Sequence, residues 1–174
     1  MQNNLHYILC GMMLICAGLI PQNAPAESTD ASGDLWNLVS KQVKIHRFAT
    51  LFTAQDMRDR LSNDAGIDQA IDWCHATGVT HVFLETFRDG YQAPRETMIV
   101  ARDRFKAKGF IVSGCVTTTK VGKPSTDWKD TISCYTDAAT QNRLKSIFEV
   151  TAGLFDEIMI DDFFATSCEC DDCV

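Results

Sequence analysis

The chain has 174 residues, of which 45% are hydrophobic, with 23 acidic against 16 basic side chains and a net charge of −7. That is enough apolar material for one domain with a core of its own. An acidic chain without a basic run has nothing with which to neutralise a phosphate backbone, so nucleic acid is excluded as the expected partner.

Residues 1–26 contain no Lys, Arg, Asp or Glu. A polar start, Met1-Gln2-Asn3-Asn4, leads into an apolar run over residues 7–20. Pro21 and the small-x-small sequence Ala24-Pro25-Ala26 then precede Glu27-Ser28-Thr29-Asp30. This is the layout of a secretory signal peptide cut after Ala26, and its apolar run falls short of the about 20 residues that a membrane span needs. The expectation is a secreted or periplasmic protein with no membrane span after cleavage. Residues 27–34 are small and polar, so 27–44 reads as a leader or linker.

From there apolar runs of two kinds alternate. Residues 45–52 form a short apolar run expected as a strand. Residues 67–76 place Ile67, Ala70, Ile71 and Cys74 at helical spacing, and Gly78 is a stop signal. Residues 80–84 (THVFL) read as a buried strand. Ile99, Ala101 and Phe105 predict a helix over 95–106 that ends at Lys108-Gly109. Residues 110–116 form a third strand, and Gly122, Pro124 and Ser125 mark the loop after it. Leu144, Ile147, Phe148 and Thr151 share one face of a helix over 138–154, and residues 157–162 (EIMIDD) form a fourth strand.

A β-α-β-α-β-α-β order argues for a parallel sheet covered by helices. The first strand is followed by TLFTAQDMRDR (residues 50–60), which has no glycine-rich phosphate loop. The chain also stops soon after the fourth strand with no helix to cover it. The expected fold class is therefore α/β, a partial (β/α)8 TIM barrel of about the first four β/α units over residues 45–174, where a complete barrel takes about 250 residues.

Functional groups in parallel α/β folds gather at the carboxyl ends of the strands. Thr53, Gln55, Asp56 and Arg58 lie there after the first strand. The second is followed by Glu85, Arg88 and Tyr91, the third by Thr117 and Lys120, and the fourth by Asp161, Asp162 and Phe163. Carboxylates beside aromatics suit a carbohydrate, because acids bond its hydroxyls and rings stack on its apolar face. In Ile158-Met159-Ile160-Asp161-Asp162, two carboxylates end an apolar strand, so one faces the lumen and the other the strand's edge. These two are the candidate catalytic residues. Glu85, Arg88, Tyr91, Thr117, Lys120 and Phe163 are the candidate substrate-binding residues. The histidines are scattered and form no triad.

Six cysteines follow residue 26. Cys74, on an apolar helix face, reads as a buried free thiol. Cys115, Cys134, Cys168, Cys170 and Cys173 are disulfide candidates, because export places them in an oxidising compartment. The C-x-C-x-x-C run from Cys168 to Cys173 could hold a metal, but tetrahedral zinc needs a fourth ligand that only Cys134, Cys115 or a distant His could supply. The expectation is disulfides, with no metal and no cofactor.

The segments HVFLETFRDGY (residues 81–91), VSGCVTTT (residues 112–119) and DEIMIDDFFATSCECDDC (residues 156–173) resemble a group of uncharacterised secreted glycoside-hydrolase-like TIM-barrel proteins, over about residues 45–174. The resemblance implies a carbohydrate-processing barrel whose acid on the fourth strand is an acid/base or a nucleophile. Glycosidases normally use two carboxylates. In such barrels the second comes from a later strand, so this chain alone is expected to have little or no hydrolytic activity and to self-associate through exposed barrel edges. Two further readings are a non-catalytic carbohydrate-binding module and an exported metal or redox protein built on the C-terminal cysteines.

Overall fold

The computed structural model describes residues 31–162 and 168–174, so the expected signal peptide and Phe163 lie outside the described residues. Its elements are α1 (Ala31–Lys41), β1 (Ala49–Phe52), α2 (Ala54–Asp59), α3 (Asp64–Thr77), β2 (His81–Arg88), β3 (Tyr91–Gln92), α4 (Arg95–Ala107), β4 (Ile111–Thr117), α5 (Ala138–Ala152) and β5 (Ile158–Asp161). Four strands run parallel in the order β1-β2-β4-β5, and β3 is a two-residue antiparallel addition to β2. Each parallel strand therefore lies beside the one that precedes it along the chain. A doubly wound sheet reverses its strand order at a switch point, whereas a (β/α) barrel advances in one direction, as this sheet does.

The strands are apolar because helices cover them. On β4 every residue from Val112 to Thr117 is buried, as expected of a central parallel strand. Val82, Leu84, Ile67, Ile71, Met98, Ala101 and Phe105 form the larger core between the sheet and helices α2, α3 and α4. Phe87, Val116, Val121 and Ile147 form a second core under α5. Each fully buried side chain of this kind stabilises the fold by about 1.5–3 kcal/mol. Gly114 lets α5 approach, since a Cβ there would lie 2.7 Å from the Phe155 ring and 2.9 Å from the Thr151 methyl.

Three local features differ from the sequence reading. The stretch expected as a leader contains α1, which packs on α3. The Trp36 ring of α1 lies 4.3 Å from His75 of α3 and 4.9 Å from Phe110, so the helix packs against α3 and the residue that leads into β4. The first strand begins at residue 49 rather than 45, because the chain still turns at Ile45, whose N–H donates to the Gln42 carbonyl. The second strand runs on through Arg88, past the polar Glu85 and Thr86, because both side chains find partners inside the protein.

Candidate active site

The site is built at the carboxyl ends of β2, β4 and β5. On a regular strand, residues three apart face opposite sides. Glu85 and Arg88 nevertheless face the same side, because a bulge between Glu85 and Phe87 shifts the β2–β4 register. Thr86 Oγ1 turns toward α5 and meets Thr151 Oγ1 at 2.6 Å, and Phe87 joins the core under the same helix. Arg88 returns to the face of Glu85. Bulges beside functional sites commonly re-aim a side chain in this way.

Glu85 is completely buried. Its Oε2 accepts the Ala54 N–H at 2.8 Å. Its Oε1 accepts from Arg88 Nη1 at 3.0 Å, from the Thr117 hydroxyl, and weakly from the Cys115 thiol. Burial raises its pKa above the ordinary carboxyl value, against the opposing pull of Thr117, the Ala54 N–H and Arg88. Cys115 responds in the same direction: burial first, then the negative charges of Glu85 and Asp161, push its thiol up to about 12.

Arg88 ties three strands together. Besides Glu85, its Nη1 donates to Thr117 Oγ1 at 3.1 Å and to Asp161 Oδ2 at 3.4 Å, and Nη2 lies 4.0 Å from Asp162 Oδ2. Burial pulls the guanidinium pKa down, but Glu85 and Asp161 outweigh it and the net direction is upward. Asp161 is paired in register with Thr117, whose hydroxyl lies 3.4 Å from the same Oδ2. Its side chain keeps 37% of its surface exposed, so it is held by protein and open to solvent at once.

Asp162 is 52% exposed and has a left-handed backbone, with φ of 56°. Asp89 and Lys120 share that conformation, both with φ of 50°. All three follow the carboxyl ends of strands. Such backbone costs about 1–3 kcal/mol per non-glycine residue and tends to collect at functional sites.

Of the residues singled out in the sequence, the structure brings together Glu85, Arg88, Thr117, Asp161 and Asp162. Glu85 and Thr117 are both fully buried and bonded to protein. Tyr91 lies on β3 with the Arg58 guanidinium 5.1 Å over its ring. Lys120 is exposed, and its backbone N–H donates to the Thr131 carbonyl. Sequence reasoning missed the Ala54 N–H as a partner of Glu85. Thr53-x-x-Asp56 forms the capping box that starts α2 and aims that N–H, and the spacing was a usable signal.

The disulfide expectation is corrected. Among the described residues no two cysteine sulfurs are joined in a disulfide. Cys115 lies inside the sheet against Glu85, whereas the sulfurs of Cys134, Cys168, Cys170 and Cys173 lie within 4.8 Å of one another as four thiols. Cys74 is a buried free thiol, as expected, and burial pushes it up to about 12.

At the opposite, amino end of the strands, His81 Nε2 lies 2.8 Å from Ser113 Oγ, which in turn lies 3.1 Å from Glu157 Oε2. His81 and Ser113 are buried and Glu157 is exposed, and the three stand at the stability end of a barrel. A groove also runs along β1, lined by Thr50, Phe52, Asn63, Gln69 and Trp73, and it includes none of the carboxylate-site residues.

A parallel sheet that advances in one direction, with acids and an arginine at its carboxyl edge, is consistent with part of an α/β barrel. The chain belongs to the family described as "probable glycosyl hydrolase, catalytic domain", whose pattern matches residues 32–174. That match includes α1. The chain is also similar to an uncharacterised protein of Saccharolobus solfataricus, with 28% identity over 132 residues. The similarity covers 72% of this chain and 21% of that protein, so the chain spans only about a fifth of the relative's length. No solved structure matches it. Among the described residues, no helix is long and apolar enough to cross a membrane.

Proposed function

We propose that this chain is the amino-terminal half of an exported (β/α)8 glycosidase in which Asp161 is the reacting carboxylate and Arg88 positions it. The observation that carries this reading is the single nitrogen, Arg88 Nη1, that joins Glu85 of β2, Thr117 of β4 and Asp161 of β5. Catalysis needs a carboxylate that substrate can reach and whose position is fixed. Asp161 meets both conditions. Asp162, more exposed and farther from Arg88, serves as an acceptor for a substrate hydroxyl.

Glycoside hydrolysis normally takes two carboxylates on opposite sides of the scissile bond. Glu85 is fully engaged with protein donors, so the partner of Asp161 comes from a strand beyond β5 in the completed barrel. Export rests on the charge-free residues 1–26 and their small-x-small site, and amino-terminal sequencing of the secreted product tests it by finding Glu27 first.

The test of function is an assay of this chain, and of the chain extended by the further β/α units read from its gene, on aryl glycosides and glycans. The short chain is expected to give no turnover and the extended protein to hydrolyse. Asp161→Asn should lower that rate about 10²–10⁴-fold, while Asp162→Asn keeps most of it. Full activity in the Asp161→Asn protein would sink the assignment. The commitment of Glu85 also favours a second reading, a carbohydrate-binding module. It takes first place if the reading frame ends at Val174 and the chain binds glycans without cleaving them.

A further inference from the structure

We propose that Cys134, Cys168, Cys170 and Cys173 form a tetrathiolate site for one structural zinc ion, which fastens the loop after β4 to the segment after β5. The spacing of the sulfurs carries this. Cys134 Sγ lies 3.7 Å from both Cys170 Sγ and Cys173 Sγ, and these two lie 3.6 Å apart. A disulfide brings two sulfurs to about 2.05 Å and leaves any third one distant. Three nearly equal separations do not fit pairs. They fit the edges of a tetrahedron with metal–sulfur bonds of about 2.3 Å, whose edge is about 3.8 Å. Cys168 supplies the fourth corner.

The surroundings are those of bound thiolates. The Thr136 hydroxyl lies 3.1 Å from the sulfurs of both Cys134 and Cys173. Backbone N–H groups point at Cys134 from Thr136, and at Cys168 from Cys170 and Thr126. Four thiolates around a divalent ion leave a charge of −2, and the nearby Lys123 ammonium interacts with Cys134 and Cys170. All four positions are filled by protein, so the site is closed and structural, without the open position that a catalytic metal keeps. Soft sulfur in tetrahedral array selects zinc or iron. Zinc, which has no redox chemistry, is the ion suited to holding a fixed joint.

The segment itself shows why a joint is needed. Residues 168–174 form no helix or strand, and none of them is buried. Besides its sulfur contacts, this segment meets the β4 loop through the Glu169 N–H, which donates to Thr126 Oγ1 at 2.7 Å. Apolar packing cannot hold such a segment in place. The β4 loop it meets is already shaped, since the Cys134 N–H donates to the Lys123 carbonyl at 2.7 Å. On binding zinc, the four thiols release their protons to solvent.

The test is elemental analysis of the intact chain purified without chelator or reductant, together with thiol counting by mass spectrometry. One zinc per chain is expected. The chelated protein, titrated anaerobically with Co(II), should develop the visible bands of a tetrahedral ion and a thiolate-to-metal charge-transfer band. Cys134→Ser and Cys170→Ser should lose stoichiometric zinc, while Cys74→Ala, outside the cluster, keeps it. If the serine variants do not fold, the zinc content and cobalt spectrum of the unaltered chain decide. A folded chain free of metal, with these cysteines as thiols or as two disulfides, overturns the proposal. So does a cobalt spectrum without the thiolate band, or iron in place of zinc.

Discussion

At the scale of single residues, the molecule turns on Arg88 and the acid beneath it. Glu85 has no contact with water, and its charge is matched by one guanidinium, one hydroxyl and one backbone N–H. Removing one partner of a buried ion pair strands the other, at about 3–5 kcal/mol. Arg88→Met should therefore destabilise the protein by about 3 kcal/mol at neutral pH, as read by urea unfolding. The loss should depend on pH in a definite direction. Because burial raises the pKa of Glu85, the unfolded carboxyl ionises first as pH rises above about 4.3, and the folded group keeps its proton longer. Glu85 thus contributes fully below that pH, and its contribution is lost as pH rises through its folded value. Taking away the guanidinium raises the folded value further. The destabilisation by Arg88→Met should accordingly shrink toward pH 4 and grow toward pH 7, and a penalty that is flat across that range would refute the buried-charge account. Glu85→Gln in the Arg88→Met background should recover much of the loss, because a neutral amide needs no counter-charge.

At the scale of elements, the site depends on how closely strand and helix approach. Gly114 has Phe155 and Thr151 directly over it. Gly114→Ala should push α5 outward and destabilise the domain by about 1–3 kcal/mol, the usual range for overpacking. A denaturation midpoint equal to that of the unaltered protein would show that α5 yields freely. These elements were also where the sequence was easiest and hardest to read. Helices α3, α4 and α5 announce themselves by apolar residues at helical spacing, and β2 by the apolar run that opens it. Helix α1 escaped although Leu35, Trp36, Leu38 and Val39 recur at helical spacing, because the small polar residues that open it read as a leader, and its anchor, Trp36, meets residues far along the chain. Helix α2 is a six-residue piece whose start is set by the Thr53–Asp56 capping box. Asp161, Arg88 and Glu85 were legible as candidates because parallel strands deliver groups to their carboxyl ends. Their division of labour was not legible, since the bulge after Glu85 that turns Arg88 to the same face leaves no mark in hydrophobic periodicity. The cysteine spacing was plain as well. What it lacked was the sulfur-to-sulfur distance, and that distance decides between pairing and metal.

At the scale of the whole molecule, the sheet advances in one direction from β1 to β5 and does not return on itself. Among the described residues, β1 pairs only with β2, and β5 pairs on this path only with β4. Apolar side chains lie toward both ends of the sheet: Phe48, just before β1, is 56% exposed, and Ile160 of β5 is 37% exposed. Unpaired parallel edges offer rows of backbone N–H and C=O groups to any neighbouring strand. In a closed barrel those groups and those side chains would meet the remaining strands. The chain by itself should therefore associate reversibly in the micromolar to millimolar range typical of exposed edges, as sedimentation velocity would detect. Ile160→Lys together with Phe48→Lys should keep it monomeric, because charge at an edge opposes pairing, while leaving the denaturation midpoint nearly unchanged at positions already open to water. A chain that sediments as a monomer at every concentration would mean that these edges are protected some other way. The barrel reading would then lose its account of Phe48 and Ile160.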